Sequence, residues 1–216
     1  MPAPPQTLVL FAVPQEARPF RKFVIGRPEV RVRVTGIGAR RAEAAVREEL
    51  LRSLPDRVLT CGFAGGLNPV LQCGALVGQW DETWAEPDRL TAAGFTPGRF
   101  LCVERIVSTA REKGRLREQT GADAVEMESG FIIRVCREHG VPAATLRVIS
   151  DAADEDLPLD FNALGGPDAD LRYSRLALAL ARSPGKIADL VRFRRRVTTA
   201  ATTLAAALGR VIGTQP

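Results

Sequence analysis

Three acidic side chains, each placed directly after an apolar segment, are the residues of this sequence best suited to chemistry. Glu16 follows the apolar run at residues 7–13, Glu128 stands two residues after Glu126 at the start of a helical pattern, and Asp151 follows the run at residues 143–149. In open α/β sheets, ligands bind at the carboxyl ends of the strands. An acid in the first turn of a helix is also favoured by the helix dipole alone, so Glu128 by itself has a purely structural alternative. Two successive strands that both end in acids favour one shared pocket.

The elements that would position these acids alternate between strands and helices, which predicts an α/β fold. The pattern indicates a three-layer α/β/α arrangement with a central twisted mixed sheet. We expect residues 1–216 to form a single domain, because no interior boundary or repeat is visible. The predicted strands are residues 7–13, 29–35, 57–61, 75–80, 99–107 and 143–149 together with the segment around 126–128, and the predicted helices are a first helix that begins near Ala17 or Arg18, then 39–54, 109–119, about 129–139, 171–181 and 186–212.

The positions of proline and valine define the start of the first helix and the exposed face of one strand. Pro19 is poorly tolerated deep inside a helix, so we expect the first helix to begin near Ala17 or Arg18 and Glu16 to lie in the preceding connection. The segment 29–35 alternates valine with arginine, which predicts a strand with one wet or edge-like face.

Two glycine-containing segments invite a ligand interpretation. Gly36-x-Gly38 opens a helix, but Arg41 occupies the position of the third glycine of a dinucleotide fingerprint, which argues against that interpretation. Residues 62–66 contain three glycines and are predicted to form a turn whose amides face an anion or polar sugar groups. A flexible turn without a ligand is the alternative.

Composition excludes several classes of site. The four cysteines form no CxxC pair and His139 is the only histidine, so we expect reduced thiols, no metal site and no Ser-His-Asp or Cys-His machinery. No apolar run approaches the ~20 residues of a membrane span, and the first residues lack a signal-peptide pattern. We therefore expect a cytoplasmic protein.

The positive charge is concentrated near the end of the chain. Residues 171–216 hold nine Lys or Arg and one acid, Asp189, whereas the rest of the chain has a net charge of −3. The predicted basic amphipathic helical extension, about 171–213, suits peripheral contact with an anionic membrane face. The alternative is an ordinary terminal helix packed on the sheet with a solvated basic face. Nucleic-acid binding is disfavoured because the segment has few aromatics and no recognised binding motif.

Taken together in chain order, five motifs resemble the nucleoside phosphorylase and nucleosidase superfamily, in particular methylthioadenosine/S-adenosylhomocysteine nucleosidases. The motifs are Ala12-Val13-Pro14-Gln15-Glu16, Thr35-Gly36-Ile37-Gly38, Gly62-Phe63-Ala64-Gly65-Gly66-Leu67, Ala124-Val125-Glu126-Met127-Glu128 and Arg147-Val148-Ile149-Ser150-Asp151. The resemblance implies cleavage of a purine nucleoside at its N-glycosidic bond, by a homo-oligomer such as a dimer, without a metal or organic cofactor.

Roles for individual residues follow from this resemblance. It implies that Asp151 gives a proton to N7 of the departing purine, that Glu128 holds the ribose hydroxyls and that Glu16 activates the attacking water. Met127 would form an apolar wall against the ribose. The remaining substrate-binding candidates that the resemblance implies are Arg147, Phe63, Gly65 and Ser150.

The sequence also departs from the nucleosidase pattern. Phe63 replaces a small serine, residues 107–113 lack the aromatic that stacks on the purine in relatives, and material is missing between Phe23 and Glu29. Thr109-x-x-Glu112-Lys113, Glu128-Ser129-Gly130 and the Ser183-Pro184-Gly185 region are similar to the hopanoid-associated phosphorylase-like enzymes. This narrower resemblance implies release of adenine from the lipid-linked nucleoside adenosylhopane, at the inner membrane face.

Two alternatives stay open at this point. If phosphate instead of water attacks the sugar, the chain is a nucleoside phosphorylase. Arg18 and Arg40 or Arg41 would then bind the phosphate. The departures at Phe63 and residues 107–113 also fit a non-catalytic nucleoside-binding or membrane-associated scaffold.

Overall fold

Eight strands of the computed structural model form one mixed sheet, and the structure describes residues 5–159, 161–164 and 185–213. The main path of the sheet runs in the order β2-β1-β3-β8-β4-β5, and β7 pairs with both β3 and β6. The β1–β2, β1–β3, β3–β8, β4–β5 and β6–β7 pairs are parallel, whereas β3–β7 and β4–β8 are antiparallel. The strands are β1 (Thr7–Phe11), β2 (Val30–Val34), β3 (Arg57–Gly66), β4 (Leu76–Gln79), β5 (Thr96–Pro97), β6 (Phe100–Cys102), β7 (Ala124–Glu126) and β8 (Ala143–Asp151).

Helices cover both faces of this sheet, which confirms the predicted three-layer α/β/α fold with a mixed sheet. Side chains of α1 and α7 share the largest hydrophobic cluster with one face, and side chains of α2 and α5 share the second cluster with the other. The described helices are α1 (Pro14–Arg21), α2 (Ala39–Arg52), α3 (Pro87–Ala92), α4 (Ala110–Thr120), α5 (Ser129–Glu138), α6 (Phe161–Leu164) and α7 (Lys186–Ile212), with a short 3-10 turn at Lys22–Val24.

Strand β1 shows how the apolar run produces this layering. Val9 and Phe11 pack with the α1 and α7 side, whereas Leu8 and Leu10 pack with the α2 and α5 side. Successive strand residues point to opposite faces, so a strand buried on both faces must be apolar throughout. The alternating segment 29–35 supplies β2, which lies at one end of the main path as predicted for an edge-like strand.

Two predicted boundaries near the site are wrong. Helix α1 begins at Pro14, not near Ala17, so Pro19 lies inside it and Glu16 belongs to the first helical turn. Pro14 fits this start because a first-turn residue needs no N–H partner, and the short helix tolerates the bond that Pro19 removes. The glycine-rich segment 62–66 is the last part of β3 and not a turn, with an irregular register between Ala64 and Gly65.

The C-terminal helix divides into two halves. Residues from Ala200 to Ile212 contribute buried side chains to the largest cluster, as expected for a helix packed on the sheet. Ile187 and Val191 remain about half exposed, and Arg192, Arg194 and Arg195 are exposed. The predicted helix at 171–181 lies outside the described residues. In the part of the chain that the structure describes, no helix combines the length and apolar character that a membrane span requires.

Candidate active site

A cavity of about 260 Å³ opens where β1, β3 and β8 end and where β7 meets α5. The predicted position at the carboxyl ends of parallel strands is therefore the position of the cavity. Its lining combines carboxylates with a largely apolar wall. The lining residues are Ala12, Val13, Glu16, Ile37, Phe63, Ala64, Gly65, Val103, Arg105, Ile106, Val107, Val125, Glu126, Met127, Glu128, Ser150, Asp151, Leu157, Phe161 and Phe193.

Glu16 is held by backbone amides from two strand ends. Its Oε2 accepts hydrogen bonds from the amides of Ala12 at 3.0 Å and Val13 at 3.1 Å, and its Oε1 accepts from the amide of Phe63 at 2.8 Å. Burial raises the pKa of Glu16, while these bonds and the charge of Arg147 oppose the shift. Each carboxylate oxygen can accept two hydrogen bonds, so Oε1 keeps one free lone pair for a proton from water.

Gly62 allows Glu16 to approach the strand this closely. A Cβ at position 62 would lie 2.5 Å from Oε1 of Glu16, and φ at this glycine is +152°. This close approach explains one of the glycines that the sequence placed in a predicted ligand-binding turn.

The side chain of Glu128 reaches the start of helix α2. Its Oε1 accepts a hydrogen bond of 2.9 Å from the amide of Gly38, whereas its side chain makes no capping bond to its own helix α5. Burial raises its pKa to about 7, with the charge of Arg147 opposing the shift and that of Glu126 supporting it. The helix-dipole explanation of Glu128 therefore does not account for where its carboxylate lies. In a dinucleotide-binding fingerprint the Gly38 amide would face the ligand, whereas here it donates to Glu128.

Glu126 forms a buried ion pair with Arg147 and shows the opposite electrostatic behaviour. Its Oε2 lies 2.7 Å from Nη2 of Arg147, and the two side chains are 1% and 2% exposed. Amides of Glu128 and Ser129 donate to the same oxygen, and the Ser129 hydroxyl donates to Oε1. Burial disfavours its ionised form, but Arg147 and Ser129 overcome that cost and lower the pKa of Glu126.

Asp151 is buried at the end of β8 and also lines the cavity. The hydroxyl of Ser150 donates to its Oδ1 at 2.5 Å. The buried ammonium of Lys113 lies 2.5 Å from its Oδ2. Gly65 faces the same carboxylate, since a Cβ there would lie 3.3 Å from Oδ2.

Seven of the eight residues singled out from the sequence line this one cavity. They are Glu16, Phe63, Gly65, Met127, Glu128, Ser150 and Asp151. Arg147 is absent from the lining, because its side chain is buried against Glu126 and Thr60. It acts on the acids through its charge, and the expected direct contact with substrate is not supported by this position.

Sequence reasoning missed the buried ion pair of Glu126, the burial of Lys113 and the composition of the outer wall. Lys113 stood in a charged helical segment that resembled an exposed surface, and the only available signal was its place in the Thr109-x-x-Glu112-Lys113 motif. The outer wall includes Phe161 and Phe193, whose ring centroids lie 5.9 Å apart. These two side chains come from segments 32 residues apart, so no local pattern joins them. Within residues 5–159, 161–164 and 185–213, no His, Cys, Asp and Glu side chains group closely enough to hold a metal ion.

Comparisons with known proteins find a family model and relatives that this chain resembles. A model of the family described as "Phosphorylase superfamily" matches residues 88–182. A 5′-methylthioadenosine/S-adenosylhomocysteine nucleosidase from Shewanella oneidensis is 28% identical over 170 aligned residues, which cover 62% of this chain and 72% of the relative.

Solved structures show the same fold. The futalosine hydrolase of Helicobacter pylori superposes with a TM-score of 0.68 at 18% identity and covers 96% of this chain and 97% of its own. A 5′-methylthioadenosine/S-adenosylhomocysteine nucleosidase from Neisseria meningitidis, in complex with methylthio-immucillin-A, gives a TM-score of 0.68 at 19% identity over 96% of this chain and 98% of its own. The motifs in chain order, the family model over residues 88–182 and the shared fold make this chain similar to members of the phosphorylase superfamily.

Proposed function

We propose that this chain cleaves the N-glycosidic bond of an adenine nucleoside, with water as the attacking group. The observation that supports this most is that Glu16, Glu128 and Asp151, from three distant parts of the chain, line one cavity. The relative from Shewanella oneidensis, named as a nucleosidase, supports the same reaction class.

The three carboxyl groups suit the three requirements of this reaction. The leaving base must become neutral by protonation, which we assign to Asp151, and the sugar becomes cation-like and is stabilised by nearby carboxylates. Glu128 would hold the ribose hydroxyls, and Met127 would lie against the ribose. Glu16, whose pKa burial raises and whose Oε1 keeps one free lone pair, is suited to accept a proton from water. No step of this scheme needs a metal or an organic cofactor.

Water fits the cavity better than phosphate does. Phosphate binding needs several cationic or amide donors in one place. Among the described residues that line the cavity, Arg105 is the one arginine or lysine, and Arg18, Arg40 and Arg41 are absent. The Phe63 amide, which faces the same region, already donates to Glu16. Phosphorolysis is therefore the weaker alternative.

The finer proposal is that the nucleoside carries an apolar, lipid-like group at its 5′ position, as in adenosylhopane. The apolar outer wall, which includes Ile106, Leu157, Phe161 and Phe193, supports this idea. The exposed basic half of α7 stands next to that wall through Phe193, and such a surface suits an anionic membrane face. The test is a comparison of kcat/KM for 5′-methylthioadenosine and for an adenosine with a long 5′-alkyl group. A lower value for the alkyl compound contradicts the finer proposal and leaves the nucleosidase reaction untouched.

The reaction itself is tested by adenine release from 5′-methylthioadenosine, followed by chromatography with and without phosphate. We expect release without phosphate, and we expect Asp151→Asn and Glu16→Gln each to lower kcat by about 100-fold or more. Asp154→Asn is the matched control, because Asp154 is an exposed aspartate three residues further along the same segment.

Two outcomes would contradict the proposal. An absolute requirement for phosphate would reject Glu16 as the base that activates water. Equal behaviour of wild type and Asp151→Asn would favour a non-catalytic nucleoside-binding scaffold.

A further inference from the structure

Lys113 forms an ion pair with the candidate acid Asp151 and is not among the described residues that line the cavity. It is 0% exposed and is the one buried residue of helix α4. The start of this helix is fixed by the hydroxyl of Thr109, which accepts a hydrogen bond from the amide of Glu112. Burying an ammonium group is costly unless it is paired and all its N–H groups have acceptors. A lysine at this position therefore needs a specific environment.

Three acceptors surround the Lys113 ammonium group. Its Nζ donates to the carbonyl of Ala152 at 2.7 Å and to that of Glu155 at 2.8 Å, and it lies 2.5 Å from Oδ2 of Asp151. An ammonium group has three N–H donors, of which two donate to carbonyls, while the contact with Asp151 is an ion pair without hydrogen-bond geometry. Asp151 lines the cavity and Lys113 does not, so of these two charged groups only the carboxylate faces the space proposed for the nucleoside.

Asp151 accepts a hydrogen bond at Oδ1 and forms an ion pair at Oδ2, which accepts no hydrogen bond from the described residues. Ser150 donates to Oδ1 at 2.5 Å, and Lys113 approaches Oδ2 at the same distance. In the ion pair with Lys113, Asp151 is the carboxylate partner. An ionised carboxylate has no proton to give to a purine, although the proposed reaction needs one. The ammonium of Lys113 carries the acidic proton closest to Asp151, because the alternative donor, the Ser150 hydroxyl, would have to become an alkoxide.

We propose that Lys113 supplies the proton that Asp151 delivers to N7 of the leaving purine; this inference rests on the proposed nucleosidase reaction. An N–H bond of the ammonium breaks as an O–H bond forms on Oδ2 of Asp151. That O–H bond then breaks as the N7–H bond forms, and the electron pair of the C1′–N9 bond passes into the purine ring. Lys113 is left as a neutral amine and Asp151 as a carboxylate. Water adds to C1′ and gives its proton to Glu16, and that proton returns to Lys113 through solvent after the products leave.

A purely structural role predicts something different. Through its two carbonyl contacts Lys113 also anchors the segment that follows β8, which Arg196 and Glu155 hold from the other side by an ion pair of 2.6 Å. Loss of such an anchor would displace Asp151 and slow every substrate alike. Loss of a proton source would slow only substrates whose leaving group needs a proton.

The test is therefore a comparison of two leaving groups. Adenine leaves 5′-methylthioadenosine as a protonated base, whereas 4-nitrophenyl β-D-ribofuranoside releases a stable nitrophenolate that needs no proton. We expect Lys113→Met and Lys113→Gln to lower kcat for 5′-methylthioadenosine by about 100-fold and to change kcat for the nitrophenyl riboside by less than about threefold. Lys113→Gln keeps an amide donor for the carbonyls, and Arg115→Gln, on an exposed face of the same helix, is the matched control.

A pH profile with 5′-methylthioadenosine alone gives a second measurement. Without the ammonium, only the carboxylic acid form of Asp151 can act, so we expect activity of both variants to fall at a lower pH than activity of the wild type. Equal losses on both substrates, or unchanged kcat and an unchanged pH profile, would overturn the assignment of Lys113. Inactivity of the wild-type protein on every adenine nucleoside would instead count against the proposed function.

Discussion

Neighbouring carboxyl groups of the site have opposite protonation tendencies because their partners differ. Burial raises the pKa values of Glu16 and Glu128, whereas Arg147 and Ser129 lower that of Glu126. The carboxylate of Glu126 is held in a buried ion pair with Arg147. It is therefore unsuited to proton transfer. Glu16 and Glu128 line the same cavity, and their raised pKa values suit proton transfer better.

The raised pKa of Glu128 predicts a pH-dependent cost to stability. Its pKa is about 7 in the folded protein against an ordinary value of 4.5, so the folded state holds the proton more tightly than the unfolded state. Stability is therefore lost as pH rises through this interval, and the penalty is complete above about pH 7. We expect Glu128→Gln to raise Tm by at least about 2 °C at pH 8.5, while it lowers activity, and to leave Tm nearly unchanged at pH 4.5. An equal change at both pH values in calorimetry would contradict this.

The close approach of Gly62 to Glu16 predicts a specific loss of activity. In Gly62→Ala the new Cβ would meet Oε1 of Glu16 at 2.5 Å, which displaces the proposed base. We expect kcat for 5′-methylthioadenosine to fall by about 10-fold or more, since misplaced catalytic groups lose much of their effect. Gly26→Ala is the control, because φ there is also positive, +74°, but no atom lies within 4 Å of the added Cβ. Equal kcat values for the two variants would show that backbone strain, and not contact with Glu16, decides the effect.

At the scale of elements, β7 and β8 are joined across the sheet by the buried pair of Glu126 and Arg147. Removing one partner of a buried ion pair leaves an uncompensated charge, which costs about 3–5 kcal/mol. We expect Arg147→Met to lower the free energy of unfolding by about that amount in urea titrations, and we expect the double variant Glu126→Gln, Arg147→Met to recover part of the loss. Arg134→Met, which removes an exposed pair with Glu43, should cost less than about 1 kcal/mol. Additive effects of the two buried substitutions would contradict this coupling.

Elements with a strong local pattern were predictable from sequence, and elements governed by distant contacts were not. The apolar run of β1, the alternating valines of β2 and the period of α2 all led to correct elements. The glycines of β3 were assigned to a turn because glycine weakens a strand locally. In the structure they let Glu16 and Asp151 approach the backbone, which is a tertiary reason for their presence.

In the candidate site, too, features with a local sequence pattern were predictable and features set by distant contacts were not. The positions of Glu16, Glu128 and Asp151 after strands were enough to predict their meeting, because strand ends converge at one edge of a sheet. The burial of Lys113 was not predictable, since its helix is highly charged and none of its other residues is buried. The contact of Glu128 with Gly38 joins residues 90 positions apart and leaves no local signal.

At the scale of the whole molecule, the second half of the C-terminal helix α7 packs in the core, whereas its first half is largely exposed to solvent. Leu208 is 0% exposed, whereas Val191 is 47% exposed on the same helix. We expect Leu208→Ala to lower the free energy of unfolding by about 2–4 kcal/mol, because it opens a cavity in the largest cluster. Val191→Ala should change it by less than about 0.5 kcal/mol in the same urea titration. Similar losses in both variants would mean that the first half of α7 is also packed.

The central claim is that Asp151, Glu128 and Glu16 surround a single sugar–base linkage. A crystal structure of the protein soaked with adenine tests it most directly. The account predicts adenine in the cavity with N7 about 3 Å from a carboxylate oxygen of Asp151. Adenine bound outside this cavity, or bound within it with N7 turned away from Asp151, would contradict the account.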